Sequence, residues 1–113
     1  MITANKESEI REALALRAKD LVSYQEGSIV SRTLLKRQTG NVTLFAFDDA
    51  QGLSEHTSPF DALVQVLEGE LEISIDGRPL KAESGDIVLM PANHPHALKA
   101  LVKVKMLLTM IRS

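Results

Sequence analysis

Histidine is concentrated in two short segments of this 113-residue chain. The first segment, residues 55–62, contains His56, and the second, residues 91–96, contains His94 and His96. Imidazole is the commonest metal ligand in proteins, and it gains or loses a proton close to neutral pH. The pattern therefore predicts that metal binding or proton transfer is confined to these two segments, which the fold must bring together.

Cysteine is absent from the sequence. This absence excludes disulfides, thiolate nucleophiles and metal sites with cysteine ligands. Any metal must therefore be bound by nitrogen and oxygen atoms. Glycine-rich phosphate-binding loops are absent as well.

The composition is that of a soluble globular protein, with 44% hydrophobic and 25% charged residues. The net charge is −2, and the basic residues are scattered among more numerous acidic ones, which argues against a nucleic-acid binder. No apolar run has the length of a signal peptide or a membrane span. We therefore expect a single domain over residues 1–113, a cytoplasmic location, and no nucleic-acid or membrane partner.

The N-terminal segment has the spacing of a helix. Apolar residues recur at Ile10, Leu14, Ala18 and Leu21, three or four positions apart, and Asn5 suits the position that caps a helix. The pattern predicts one amphipathic α-helix over residues 5–21. Docking of its apolar stripe on the outside of a sheet is the preferred interpretation, and binding of a partner is the alternative.

Residues 28–112 consist instead of short strand-like stretches separated by turns. Leu71, Ile73 and Ile75 alternate with polar residues, and Asp76-Gly77 is typical of a tight hairpin turn. About eight such strands after one helix predict an all-β fold, either a closed barrel or a two-sheet jelly roll.

Two predicted strands, residues 62–67 and 87–90, are apolar on both faces. Both faces of such strands must be covered by other parts of the protein. A single helix can cover only one of these surfaces. We therefore expect a homodimer, which would cover the remainder.

One pattern around the second histidine segment resembles a motif of the cupin superfamily, small β-barrels that hold a metal in the barrel mouth. The motif reads G-x5-P-x-G-x2-H-x3-N, and Gly85, Pro91 and His96 match it. Asn93 replaces its second glycine and tolerates the left-handed backbone that such a turn requires, while Ala100 replaces its asparagine. The resemblance implies a cupin-type double-stranded β-helix, or jelly-roll barrel, over residues 28–112, preceded by the helix.

The other cupin motif, G-x5-H-x-H-x3-E-x6-G, is only partly present around the first histidine segment. His56 and Gly69 match it. Ala50, Ser58 and Ala62 stand at its first glycine, its second histidine and its glutamate. The resemblance therefore assigns metal-ligand positions to His56 and His96 only.

A third ligand is available nearby. His94 precedes His96 by two residues, so both rings share a face if the chain is extended, as Pro95 favours. One hypothesis is a mononuclear site of His56, His94 and His96 completed by water, suited to Zn, Ni, Cu or Fe. The alternative is that the histidines are hydrogen-bonded residues of the barrel mouth and bind no metal.

The remaining lining of the barrel mouth is predicted from strand alternation, and it is small and apolar. Besides the three histidines, the predicted ligand contacts are Ala62, Val64, Val66 and Met106. Such a lining favours a compact, partly apolar ligand over a sugar nucleotide, whose phosphates require arginine or lysine.

Three functions stay open at this stage. The preferred hypothesis is a small cupin that binds or senses a compact small molecule, with or without a divalent metal, because two metal-ligand positions of the first motif are lost. A metal-dependent enzyme resembling cupin dioxygenases, isomerases or decarboxylases is the alternative, and an empty structural barrel is the third. The pattern assigns no catalytic residue.

Overall fold

A computed structural model describes residues 2–3 and 9–112 of the chain. Within these residues the strands are β1 (Ile2–Thr3), β2 (Ile29–Arg37), β3 (Gly40–Phe47), β4 (Gly52–His56), β5 (Asp61–Glu68), β6 (Glu70–Ile75), β7 (Arg78–Glu83), β8 (Ile87–Met90), β9 (His96–Ala100) and β10 (Val104–Ile111). A four-residue 3₁₀ helix, Ala18–Leu21, precedes β2. Nothing helical in this part of the chain has the length and hydrophobicity that a membrane span requires.

The strands form two sheets that face each other across one core. The larger sheet has the order β1-β2-β3-β10-β5-β8, and the smaller has the order β4-β9-β6-β7. Alternate residues of each strand point inward, so the apolar positions of both sheets meet between them. Phe47, Leu71, Ile73 and Met106 are fully buried there. The predicted all-β class is confirmed.

Alternation in the sequence identified most of these strands. The stretches predicted around residues 62–68, 70–76 and 87–90 correspond to β5, β6 and β8. At the hairpin between β6 and β7, Asp76 and Gly77 have φ angles of 53° and 75°, as a type I′ turn requires. Asn93 also adopts the predicted left-handed conformation, with φ of 65°.

The predicted N-terminal α-helix is not formed in residues 9–21, and residues 5–8 lie outside the described residues. Ala13 has a left-handed φ of 59°, and Arg17 is extended. The backbone N–H of Ile10 donates to the carbonyl of Leu34 in β2, 3.0 Å away. This N–H is therefore bonded to the sheet and not to another residue of a helix. A short isolated helix is marginally stable in water, so these tertiary contacts outweigh its propensity.

This N-terminal segment nevertheless covers the outer face of the larger sheet. Val22 is buried against Leu34, Leu44 and Ala46, whereas Leu14 of the predicted stripe remains exposed. Polar bonds hold the segment in place: the Tyr24 hydroxyl donates to the Glu68 carboxylate at 2.5 Å, and the Lys105 ammonium donates to the Lys19 carbonyl at 2.7 Å.

Two glycines in tight turns test how strongly the sheet geometry constrains the chain. Gly69 has φ of +86°, and an added Cβ would overlap with the backbone carbonyl of Lys103. Gly77 has φ of +75°, but nothing lies within 4 Å of an added Cβ. We expect Gly77→Ala to lower the free energy of unfolding by about 1–2 kcal/mol, the cost of a left-handed alanine.

The Gly69→Ala variant should lose about 3 kcal/mol or more, because the backbone must also shift. Urea denaturation of both variants beside wild type measures the difference. Equal losses in the two variants would contradict the close approach at Gly69.

Candidate functional site

Strands β4 and β9 bring the two histidine segments together. In their antiparallel register, His56 lies directly opposite His96. The adjoining loops are also joined, because the N–H of Asn93 donates to the Ser58 carbonyl at 2.7 Å and that of Ala92 donates to the Asp61 carboxylate at 2.9 Å. The predicted meeting of the two segments is therefore found.

The His56 and His96 rings face each other edge to face. Their centroids are 4.4 Å apart with an interplanar angle of 72°, and the two Nε2 atoms are separated by 3.1 Å. We call these two residues the histidine pair. Each uses its other ring nitrogen to contact a carbonyl two residues earlier: His56 Nδ1 lies 2.7 Å from the Ser54 oxygen, and His96 Nδ1 lies 3.2 Å from the His94 oxygen.

These backbone contacts determine where the protons sit. A carbonyl oxygen can only accept a hydrogen bond, so Nδ1 of each ring must carry the hydrogen. In the neutral tautomers both Nε2 atoms then present lone pairs to each other across 3.1 Å. A proton, a cation or a polar group of a ligand is needed to bridge them.

The two rings differ in their surroundings. His96 is only 5% exposed, whereas His56 is exposed. Burial lowers the pKa of His96 below 6.5, the nearby His56 lowers it further, and the bond to the His94 carbonyl partly opposes both. Burial therefore favours the neutral form of the His96 ring.

His94 does not join the pair, contrary to the three-histidine hypothesis. Its Nδ1 lies 2.9 Å from the Asp76 carboxylate, and about half of its side chain is exposed. The strand geometry assumed for His94 does not apply, because β9 begins only at His96 and His94 follows the left-handed turn at Asn93. The carboxylate of the β6–β7 hairpin then binds the free ring.

Beneath the histidine pair lies a cavity of about 50 Å³. Apart from the pair, its walls are the residues Leu53, Ser58, Ala62, Met90, Leu98, Leu108 and Met110. Ala62 was predicted here. The other predicted contacts, Val64, Val66 and Met106, do not line this cavity and are fully buried in the core between the sheets.

These three residues lie away from the cavity. Alternation identifies the inward face of a strand but not the depth along it. It missed Leu53 and Leu98 because neither β4 nor β9 has a clear alternating pattern. The partial cupin motif could have identified Ser58 as a lining residue, because Ser58 stands at the position of its second histidine. The four metal-ligand positions of the two cupin motifs, residues 56, 58, 62 and 96, all line the cavity.

The donor set fits a metal only in part. The pair offers two imidazole nitrogens, each oriented by a backbone carbonyl as metal-binding histidines commonly are. In residues 2–3 and 9–112, however, no three histidine, aspartate or glutamate side chains are grouped so that they could hold an ion. A catalytic site normally has three protein ligands. Ser58 and Ala62 occupy the positions where the missing ligands would stand.

Comparison with known proteins identifies the family. The model of the cupin domain matches residues 44–112. A conserved protein of unknown function from Streptococcus pyogenes is 36% identical over 93% of this chain and 92% of that one, with a TM-score of 0.88. A cupin 2 conserved barrel domain protein from Leptotrichia buccalis is 38% identical over 83% of this chain and 46% of that one, with a TM-score of 0.81.

A cupin superfamily protein from Desulfitobacterium hafniense has 25% identity, covers 94% of this chain and 96% of its own, and gives a TM-score of 0.84. No match was found among curated proteins. The family match spans β4 and β9, so it includes both strands that carry the histidine pair. The chain belongs to the cupin superfamily, and it has Ser58 and Ala62 at two positions where the family motif has metal ligands.

Proposed function

We propose that this cupin binds a compact, partly apolar small molecule in the cavity beneath the histidine pair. The observation that carries the proposal is the pair itself, whose Nε2 atoms meet 3.1 Å apart at an otherwise largely apolar cavity. Binding sites for small molecules commonly combine an apolar wall with a few converging polar groups.

The polar end of the ligand is defined by the chemistry of the pair. When His56 carries a proton, its Nε2–H can be directed to His96 or to a ligand oxygen. The lining residues contribute no carboxylate, so a cationic group would find no counter-charge there. A hydroxyl that can give up its hydrogen, such as that of a phenol or a carboxylic acid, relieves the opposition of the two lone pairs, because its hydrogen passes to an Nε2 atom and the ligand oxygen stays as the charged partner of that imidazole.

The apolar end is defined by the size and composition of the cavity. Its volume of about 50 Å³ compares with roughly 300–1,000 Å³ for sites that hold drug-sized ligands. Met90 and Met110 line it, and their unbranched side chains adjust readily to a guest. A ligand with one short hydrocarbon or aromatic part fits this description, whereas a nucleotide sugar does not.

Ligand binding is tested with a set of small monocarboxylates, phenols and amines, followed by NMR of the imidazole resonances and by thermal shift. We expect members of the acid and phenol classes to bind and to shift the resonances of His56 and His96. His56→Gln and His96→Gln should raise Kd about 10-fold or more, since a hydrogen bond to a charged group contributes about 1.5–3 kcal/mol.

The matched control is His94→Gln, which removes an imidazole of the same chain outside the cavity and should leave Kd unchanged. Absence of binding across the set, or binding that survives both substitutions in the pair, would contradict the proposal. Preference for the amines would contradict the assignment of the polar end.

The lowered pKa of His96 gives a pH dependence of stability. Native His96 takes up a proton less readily than the unfolded chain does, so its contribution is complete above pH 6.5 and is lost as the pH falls through the lowered pKa. The free energy of unfolding of wild type should therefore decrease from pH 7.5 to pH 5. Urea denaturation should find a smaller decrease in His96→Gln, and equal slopes would contradict a depressed pKa.

A divalent metal held by the pair is the second candidate, and the convergence of the two Nε2 atoms favours it. His56 and His96 would hold the ion, which would supply a Lewis acid for a ligand oxygen, and solvent or the ligand would complete the shell. An enzyme of the metal-dependent cupin type would be the consequence. The two substituted motif positions allow a direct test of this candidate.

Restoring the motif with Ser58→His and Ala62→Glu should create a four-ligand site. We expect this double variant to bind Zn²⁺ or Ni²⁺ at one ion per chain, at least 100-fold more tightly than wild type, because it doubles the number of protein ligands. Isothermal titration with each metal measures both proteins. Stoichiometric, equally tight binding by wild type would favour the metal-dependent candidate over the primary proposal.

A further inference from the structure

The inward face of strands β5 and β10 leads from the cavity to the open end of the barrel. Met110 lies opposite Ala62 in the antiparallel register, and both residues line the cavity. Residues two positions apart along a strand share a face, so Phe60 and Arg112 continue this face beyond Ala62 and Met110. Two residues of a strand span about 7 Å. Phe60 and Arg112 therefore stand about 7 Å above that part of the cavity wall.

Phe60 and Arg112 contact each other at this position. The guanidinium carbon of Arg112 lies 5.8 Å from the centroid of the Phe60 ring, within the range of a cation–π interaction. The backbone N–H of Arg112 donates to the Thr39 carbonyl at 2.8 Å, which extends the pairing of β10 with β3 by one residue. We call Phe60 and Arg112 the rim pair.

The loop that carries Phe60 also forms part of the cavity wall. The Phe60 N–H donates to the Ser58 hydroxyl at 3.1 Å, and Ser58 lines the cavity. The Ser58 carbonyl accepts the N–H of Asn93, 2.7 Å away, so the loop is bonded to the second histidine segment. The position of the Phe60 ring relative to the cavity is therefore set by backbone hydrogen bonds.

The positive charge of Arg112 has no carboxylate partner in the described residues. Over residues 2–3 and 9–112, none of the ion pairs includes its guanidinium. Asp61 lies between Phe60 and Ala62 in sequence, so its side chain belongs to the opposite face, where its carboxylate accepts the Ala92 N–H. Arginine stays charged at physiological pH and carries five N–H donors. These donors are available to an anionic group at the mouth.

We propose that Arg112 binds a carboxylate of the ligand at the mouth of the cavity, so that the ligand is a small acid with two polar ends. This inference rests on the proposed function, in which a hydroxyl of the same ligand meets the histidine pair. A guanidinium binds a carboxylate through two parallel N–H···O bonds. The short apolar part of the ligand then lies between the two polar ends, against Ala62 and Met110.

Phe60 acts through Arg112 and is a positioning residue. Arg112 is exposed, and a long exposed side chain normally loses conformational freedom when it binds a ligand. Stacking of the planar guanidinium on the Phe60 ring restricts this freedom before the ligand arrives. The ring therefore favours binding of the carboxylate without contacting it.

Two probes that differ only in a carboxylate test this proposal, namely phenol and 4-hydroxybenzoate. At pH 7.5, isothermal titration of wild type should give a Kd for 4-hydroxybenzoate about 10-fold or more below that for phenol, as for a hydrogen bond to a charged group. Arg112→Gln should bring the two Kd values within about twofold of each other, and Arg112→Lys, which lacks the planar fork, should give an intermediate ratio.

The matched control is Arg17→Gln, which removes the same charge at a distant place. Arg17 is exposed and precedes the 3₁₀ helix, whose Ala18 and Leu21 pack on the outer face of the larger sheet. This variant should keep the full preference for 4-hydroxybenzoate. A control probe is 2-hydroxybenzoate, which has the same charge but adjacent polar groups that cannot span about 7 Å. Its Kd should show no gain that depends on Arg112.

The positioning role of Phe60 is tested with a pair of variants. Phe60→Leu should lower the preference for 4-hydroxybenzoate, and Phe60→Tyr, which keeps an aromatic ring under the guanidinium, should restore it. The NMR resonance of the Arg112 Nε–H group gives a direct readout. It should shift when 4-hydroxybenzoate is added to wild type and should not shift with phenol. Circular dichroism controls for folding of every variant.

The outcomes separate this inference from the proposed function. If neither phenol nor 4-hydroxybenzoate binds to wild type, both proposals are wrong. If both compounds shift the imidazole resonances of the histidine pair but bind with equal Kd, only the role of Arg112 is overturned. Full preference for 4-hydroxybenzoate in Arg112→Gln would overturn that role as well.

Discussion

The opposition of two nitrogen lone pairs in the histidine pair is the constraint around which the candidate site is organised. Both Nδ1 hydrogens are committed to carbonyls two residues earlier, and the strand register holds the rings together. Rotation of either ring would break its hydrogen bond to a backbone carbonyl and lose the net contribution of that bond, about 0.5–1.5 kcal/mol. The two Nε2 atoms of the pair therefore still require a polar group between them.

The residues at the two substituted motif positions, Ser58 and Ala62, affect which polar group suits the histidine pair. A glutamate at position 62 would place a negative charge beside the histidines and favour a cation. Ala62 removes that charge, and Ser58 replaces a third imidazole with a hydroxyl that accepts a bond from the Phe60 N–H. With no carboxylate on the cavity wall, the two imidazole lone pairs set its polarity, and they favour a ligand group that supplies a hydrogen. The barrel geometry is retained without the full set of metal ligands of the motif.

Much of the fold could be predicted because local and long-range signals agree. Alternation predicted β6, the Asp76-Gly77 dipeptide predicted its hairpin, and glycine and histidine spacing predicted that residues 56 and 96 meet. The predictions failed where tertiary contacts compete with local pattern. Ile10 pairs with β2 instead of joining a helix, and His94 binds a carboxylate that is distant in sequence. Neither partner can be recognised from the residues alone.

The central place of β10 has a consequence for how the protein folds. This strand is the last of the described strands to be synthesised. It lies between β3 and β5, and its backbone forms hydrogen bonds with both of them. Until it emerges from the ribosome, both neighbours have an unpaired edge and an exposed apolar face. Such edges pair readily with other chains. We therefore expect the larger sheet to form late and slowly, with association during synthesis as the main competing process.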